Sequence, residues 1–203
     1  WAQLAAHISL ESLVILCDAI LTAIARKPGL ANGRTADGIY QDFVRQVTGL
    51  PKFNAKSKCM IALAFITPRV DSPMESKTRI ATTKYGLPPA VTNYTVPGAT
   101  FSNGAPITLD LAWPEFRVAI EYDGDHHRTD KNQWRRDNDK RELLRHHHWI
   151  VIIATATNMA DEPSQAELAY RVGRQLALRG AVFDFTLTAT PLDEIARRRR
   201  RRI

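Results

Sequence analysis

Cysteine is scarce in this chain of 203 residues: Cys17 and Cys59 are the only two. Neither belongs to a C-x-x-C pair or pairs with a histidine at metal-ligand spacing, which argues against a disulfide scaffold and a structural zinc site. Both read as small core residues of apolar helices in a reducing compartment. Glycine and proline, at 10 and 11 residues, are too few for a collagen-like or low-complexity chain. Long apolar runs are missing as well. The longest, Leu13 to Ile24, is broken by Asp18, is too short to cross a bilayer, and follows no basic segment of the kind that opens a signal peptide. A cytoplasmic protein with no membrane partner is expected. The chain opens on Trp1 in what reads as mid-element sequence, so further residues upstream are expected too.

What is present suits a folded protein: 44% hydrophobic and 24% charged residues, in a length that allows one full core or a domain with a small helical neighbour. The net charge of +7 is concentrated at one end, because Arg197 to Arg202 supply six of the positive charges and leave the remainder close to neutral. Residues 107–125 hold five acids (Asp110, Glu115, Glu121, Asp123, Asp125) against the single base Arg117, whereas residues 126–148 hold seven Lys and Arg against four acids. An acidic pocket beside a basic wall suits a site that holds a cation and a polyanion together.

Apolar residues at Leu10, Leu13, Val14, Cys17, Ile20, Leu21 and Ile24 have the spacing of one helix face, and Lys27-Pro28-Gly29 ends that helix. Two more helical stretches, 36–47 and 55–66, complete a helical N-terminal unit over residues 1–70, whose expected role is packing or contact with a protein partner or a second copy. A second domain is expected over residues 71–188. Ser72, Pro73 and Glu75 form a helix-start signal, with Ser72 as the cap and Glu75 reaching back to it. Strands are expected at 91–96, 107–113 and 116–122, the last two joined as a hairpin through Pro114-Glu115, with a turn over 98–106. Asp130 is placed to cap a long helix running to about His147. A buried strand at 149–153 and a last helix opening at Pro163 follow. This order describes an α/β arrangement with a mixed sheet between helices. The basic segment 189–203 is expected to be disordered and to add salt-sensitive affinity for nucleic acid.

Along the strand 117–123, side-chain alternation sends Val118, Ile120 and Tyr122 one way and Ala119, Glu121 and Asp123 the other. On the strand before it, Leu109 and Leu111 face the core and turn Asp110 to the opposite side. Three acids then converge if the hairpin pairs in that register. Ionised carboxylates on one half-buried face repel one another unless a cation sits among them, and oxygen ligands of this kind suit Mg²⁺ or Mn²⁺. Such a metal polarises a phosphoryl group and lowers the pKa of bound water. The ordinary alternative is an exposed strand face whose acids pair with nearby Arg and Lys.

Ser72-Pro73-Met74-Glu75, then Leu109-Asp110-Leu111-Ala112-Trp113-Pro114, Ile120-Glu121-Tyr122-Asp123-Gly124, His127, and Asp137 through Arg141 together resemble the very-short-patch-repair-endonuclease-related domains of bacterial and phage proteins, members of the PD-(D/E)XK or restriction-endonuclease-like superfamily. The resemblance covers about residues 71–179. It implies a restriction-endonuclease-like core of helix, three-stranded meander, helix, strand and helix, and a metal-dependent endonuclease acting on DNA. It makes Asp110 the motif aspartate, Glu121 its acidic partner and a metal ligand with it, and Glu75 the acid from the first helix. It also implies that residues 1–70 belong to a larger regulator. One position departs from the pattern: Asp123 stands where the superfamily has lysine, which positions the attacking water and offsets transition-state charge. In the very-short-patch-repair branch a histidine after the strand fills a comparable role. His127 is the matching residue, with His126 as its rival, and either suits acid-base work because imidazole titrates near neutrality. An exposed loop is the plain alternative for both.

On the helix that follows, Trp134, Asp137, Arg141 and Leu144 share a stripe, which turns Asp137 and Arg141 toward the sheet as supporting residues. Arg128, Lys131, Arg135, Arg136 and Lys140 are candidate phosphate contacts, or a solvated face. His146-His147-His148 point in different directions and make no metal site. The family pattern places a small residue, often glycine, near His148. Loss of the lysine leaves a second function open: a catalytically weakened nuclease-fold module that binds DNA or a partner, in a toxin–antitoxin or phage-defence protein.

Overall fold

The computed structural model describes residues 1–124 and 131–200, and within residues 131–135 it describes the backbone alone. The chain is mixed α/β and divides into two compact units, one of Trp1–Ile80 with Thr190–Ile203 and one of Ala81–Ala189. No helix among the described residues is long and apolar enough to cross a membrane.

The first unit is helical. Its helix α1 (Leu10–Arg26) starts where the Ser9 side chain accepts a bond from the Ser12 amide. After the short α2 (Pro28–Ala31), helix α3 (Ala36–Gly49) starts in the same way, with Thr35 Oγ1 accepting from the Gly38 amide at 3.1 Å. Helix α4 (Lys56–Ala62) is shorter than the predicted 55–66 stretch. The core joins Leu13, Val14, Cys17 and Leu21 of α1 to Ile39 and Val47 of α3 and Cys59 and Ala62 of α4, so both thiols are buried and free. Asp18, the break in the apolar run, is itself buried. Its carboxylate accepts from the Thr67 amide, Ser76 Oγ and Arg79 Nη2, each at 2.7 Å, so the charge is offset inside the core.

Two expectations about boundaries change. The division falls after Ile80 rather than near residue 70: helix α5 (Pro73–Lys84) sends Ser76 and Arg79 to Asp18 and packs Ile80 into the first core. Nor is the basic segment structureless, since helix α8 (Leu192–Arg200) forms there and buries Leu192 and Ala196 in the same core. Leu192, Ile195 and Ala196 have helical spacing, and the pairs Asp193–Arg197 and Glu194–Arg198 link successive turns. The helix opening at Pro163 is therefore not the last.

The second unit is built on a four-stranded sheet in the order β1-β2-β3-β4. Strands β1 (Val91–Thr100), β2 (Pro106–Trp113) and β3 (Val118–Tyr122) form an antiparallel meander, and β4 (Ile150–Ala154) lies parallel to β3. That parallel pairing needs a crossover, which helix α6 (Lys131–His146) provides. Helix α7 (Glu162–Leu178) follows β4, packs on β3 and β4 and buries Leu168, Val172 and Leu176. Val118, Ala119 and Ile120 are all buried despite alternating sides, so both faces of β3 are covered. Strand β1 runs past the predicted end at Val96 as far as Thr100, through an irregularity of register between Thr95 and Thr100, a stretch that holds Gly98 at φ 75°. The connection to β2 is correspondingly tighter than the predicted turn.

Helix α6 ends in a Schellman motif. The His148 amide donates to the Arg145 carbonyl and the Trp149 amide to the Leu144 carbonyl, both at 2.9 Å, while Leu144 and Trp149 pack in one cluster. His148 thereby takes the left-handed position, with φ 62°. Glycine is the usual occupant of that position, which gives a physical reason for the small residue anticipated there.

Candidate functional site

The hairpin pairs in the register that the alternation requires: Leu111 lies opposite Ile120, Ala112 opposite Ala119 and Trp113 opposite Val118. Continued one step further, that register would set Asp110 opposite Glu121, and residues opposite one another on antiparallel strands project to the same face. The Asp110 carboxylate sits at the end of the ladder, where its Oδ2 accepts the Tyr122 amide at 2.8 Å. That bond ties the side chain of one acid to the backbone beside the other.

Glu121 is largely enclosed, its side chain being 19% exposed. Burial is the main influence raising its pKa above the ordinary carboxylate value. The nearby charges of Asp110 and Asp137 push the same way, and Lys140 opposes them. The Lys140 ammonium donates to Glu121 Oε1. A cavity of about 160 Å³ opens here, lined by Glu121, Tyr122, Asp123, Gly124 and Ile153 from the strands and by Asp137, Lys140 and Arg141 from α6. Helix α6 is positioned for this by Leu144, which clusters with Ala112 and Ala119 on the same side of the sheet.

The predicted residues divide clearly. Glu121, Asp137 and Arg141 line one cavity, with Asp123 at an exposed position at the end of β3, and Asp110 lies beside it through its bond to the Tyr122 amide. Lys140, expected on a solvated or phosphate-binding face, instead pairs with Glu121. Its place was legible: Asp137, Lys140, Arg141 and Leu144 are the i, i+3, i+4 and i+7 positions of one helix face. Arg136 is exposed. Asp125, His126, His127 and Arg128 lie outside the described residues, as do the side chains of Lys131 and Arg135.

Glu75 belongs to the first unit, where it completes the capping box of α5. The Glu75 amide donates to Ser72 Oγ at 3.2 Å, and its carboxylate accepts from the Asp71 amide at 2.9 Å, one residue ahead of the cap amide anticipated. Among the described residues no three His, Cys, Asp or Glu side chains come together as a ready ligand set. A larger cavity of about 480 Å³ lies elsewhere in the second unit, against α7 and the segment after it, but Tyr170, Arg174, Phe183 and Phe185 line it without a carboxylate or histidine.

No protein-family profile matches the chain, and no solved structure does. Two proteins of Mycobacterium tuberculosis are similar to it: "Uncharacterized protein MT2308" of strain CDC 1551 and "Uncharacterized protein Rv2248" of strain H37Rv, each 29% identical over 114 residues. The match takes in 56% of this chain and 40% of each relative, so the chain spans about two fifths of the length of the curated relatives it matches.

Proposed function

We propose that the second unit is a divalent-metal-dependent DNA endonuclease with a restriction-endonuclease-like core of the PD-(D/E)XK kind, hydrolysing phosphodiester bonds. The observation that carries this reading is the Asp110 carboxylate fastened to the amide that follows Glu121, one step beyond the paired Leu111 and Ile120 of β2 and β3. Side chains on paired strands are more rigidly held than side chains on loops, as a metal site requires.

The donor chemistry fits Mg²⁺ or Mn²⁺. Two carboxylates suffice for Mg²⁺, which keeps several waters and completes its shell with substrate phosphate, so a third protein ligand is unnecessary. Asp110 and Glu121 would hold the ion, which when bound supplies a polarised phosphoryl group and a more acidic water. Asp137 and Asp123 add negative charge along the cavity, and Arg141 adds positive charge for the backbone of DNA. Arg128, Lys131, Arg135 and Arg136 extend the phosphate-binding surface, and His127, or His126 in its place, is the base that takes the proton of the attacking water. The N-terminal helices serve contact with a protein partner or a second copy.

A second reading has one observation in its favour. Lys140 already neutralises Glu121, as expected if the site binds DNA or a partner without cutting. Nicking of supercoiled plasmid separates the two. The endonuclease reading expects Mg²⁺-dependent nicking by the full chain and its loss in Asp110→Asn, whereas salt-sensitive DNA binding with no nicking in Mg²⁺ or Mn²⁺ selects the binding module.

A further inference from the structure

Asp123 leaves the strand position two residues after Glu121 with a negative charge, yet a cation reaches the same carboxylate from another element. Lys140 comes from α6, and its ammonium meets Glu121 Oε1 with both side chains mostly enclosed, 20% and 19% exposed. Two features separate this contact from an ordinary surface pair. Its acceptor is the carboxylate that the metal-dependent reading needs as a ligand, and Asp110, Asp123 and Asp137 surround it with further negative charge. An ammonium on Glu121 Oε1 and a divalent cation on the same carboxylate repel one another, and at partly buried depth that repulsion is several times its value in water. Binding of the cation therefore favours withdrawal of the ammonium. Lysine carries its charge on a flexible four-carbon stem, and the adjoining cavity of about 160 Å³ gives it room to move.

Building on the proposed metal-dependent function, we infer that Lys140 is an exchangeable counter-ion of Glu121. Its ammonium neutralises the carboxylate before a divalent cation arrives, yields the oxygen to that cation, and then stands beside the cavity as the positive charge that Asp123 does not provide. The helix thus supplies what the strand motif lacks. Arg141, one residue further on, lines the same cavity from an exposed position.

The test compares the full chain with Lys140→Met and Lys140→Arg, reading Mn²⁺ affinity without DNA from the free-ion EPR signal, and Mg²⁺-dependent nicking of supercoiled plasmid. Lys140→Met is expected to bind Mn²⁺ about tenfold more tightly, since its competitor is gone, and to nick at least about a hundredfold more slowly. Lys140→Arg is expected to keep the weaker wild-type affinity and to recover part of the nicking. Mn²⁺ affinity in Lys140→Met that is unchanged or weaker overturns the inference, and so, where the wild type nicks, does nicking within about threefold of it, given the size of effect expected of such a charge. Should Lys140→Met fail to fold, Lys140→Gln carries the same expectations. If the wild type does not nick but Lys140→Met binds Mn²⁺ more tightly, the endonuclease reading falls and the counter-ion stands. If neither protein binds Mn²⁺, both fall.

Discussion

The amide of Tyr122 donates to Asp110 Oδ2 at 2.8 Å, so the carboxylate of one strand is anchored to the backbone of the next, directly after Glu121. This bond separates two roles of Asp110 that a single substitution would confuse. Asp110→Ala leaves a half-buried amide unpaired and is expected to lose about 1–3 kcal/mol of stability along with activity. Asp110→Asn keeps a carbonyl oxygen for the amide and should unfold within about 1 kcal/mol of wild type while losing metal affinity. Urea unfolding and Mn²⁺ titration of both variants check this. Equal destabilisation by Asn and Ala contradicts the anchoring role.

His148 sits at φ 62°, a conformation that costs a residue with a Cβ roughly 1–2 kcal/mol relative to glycine. His148→Gly is therefore expected to raise stability by about 1 kcal/mol, since the backbone bonds of the Schellman motif do not need the imidazole. An unchanged or lowered unfolding midpoint would argue that the side chain contributes something the backbone does not reveal.

Gly86 ends α5 at φ 85°, and a Cβ placed there would fall well inside van der Waals contact with the Asp184 carbonyl oxygen. Gly86→Ala combines a left-handed backbone with a collision against main chain, and the expected loss is at least about 2 kcal/mol. Thermal unfolding reads it directly.

The carboxyl of Asp161 is held below the usual aspartate range by hydrogen bonds from the Ser164 side chain and amide, the bonds that cap α7. A depressed folded-state pKa contributes stability above the unfolded value of about 3.9 and loses it as pH falls through the folded value. Hydrogen exchange at the Ser164 amide should accelerate on acidification beyond the intrinsic pH trend. Asp161→Asn, which caps without titrating, should lack that change. The carboxylate is fully exposed, so the effect belongs to the first turn of α7.

Most of the second unit was legible because its signals are local: strand alternation, tight turns, and the apolar run that became β4 beside β3. That Asp110 would lie beside the end of β3 followed from alternation plus one tight turn. Lys140 was assigned to the solvated or phosphate-binding face because long charged side chains default to solvent, although its helix-face spacing with Asp137 and Leu144 pointed inward. Helix α8 was hidden by the charge of its arginines, although Leu192, Ile195 and Ala196 carried the period. The boundary after Ile80 depends on Ser76 and Arg79 meeting Asp18, 58 and 61 residues away along the chain, a pairing that no local pattern encodes.

The central claim is that Asp110 and Glu121 jointly hold a divalent cation, and anomalous diffraction from a crystal soaked in Mn²⁺ tests it most directly. The account predicts a peak within coordination distance, about 2.0–2.3 Å, of an oxygen from each carboxylate, with the Lys140 ammonium withdrawn from Glu121. A fully soaked crystal with no peak at that place, and Lys140 still on Glu121, would contradict it.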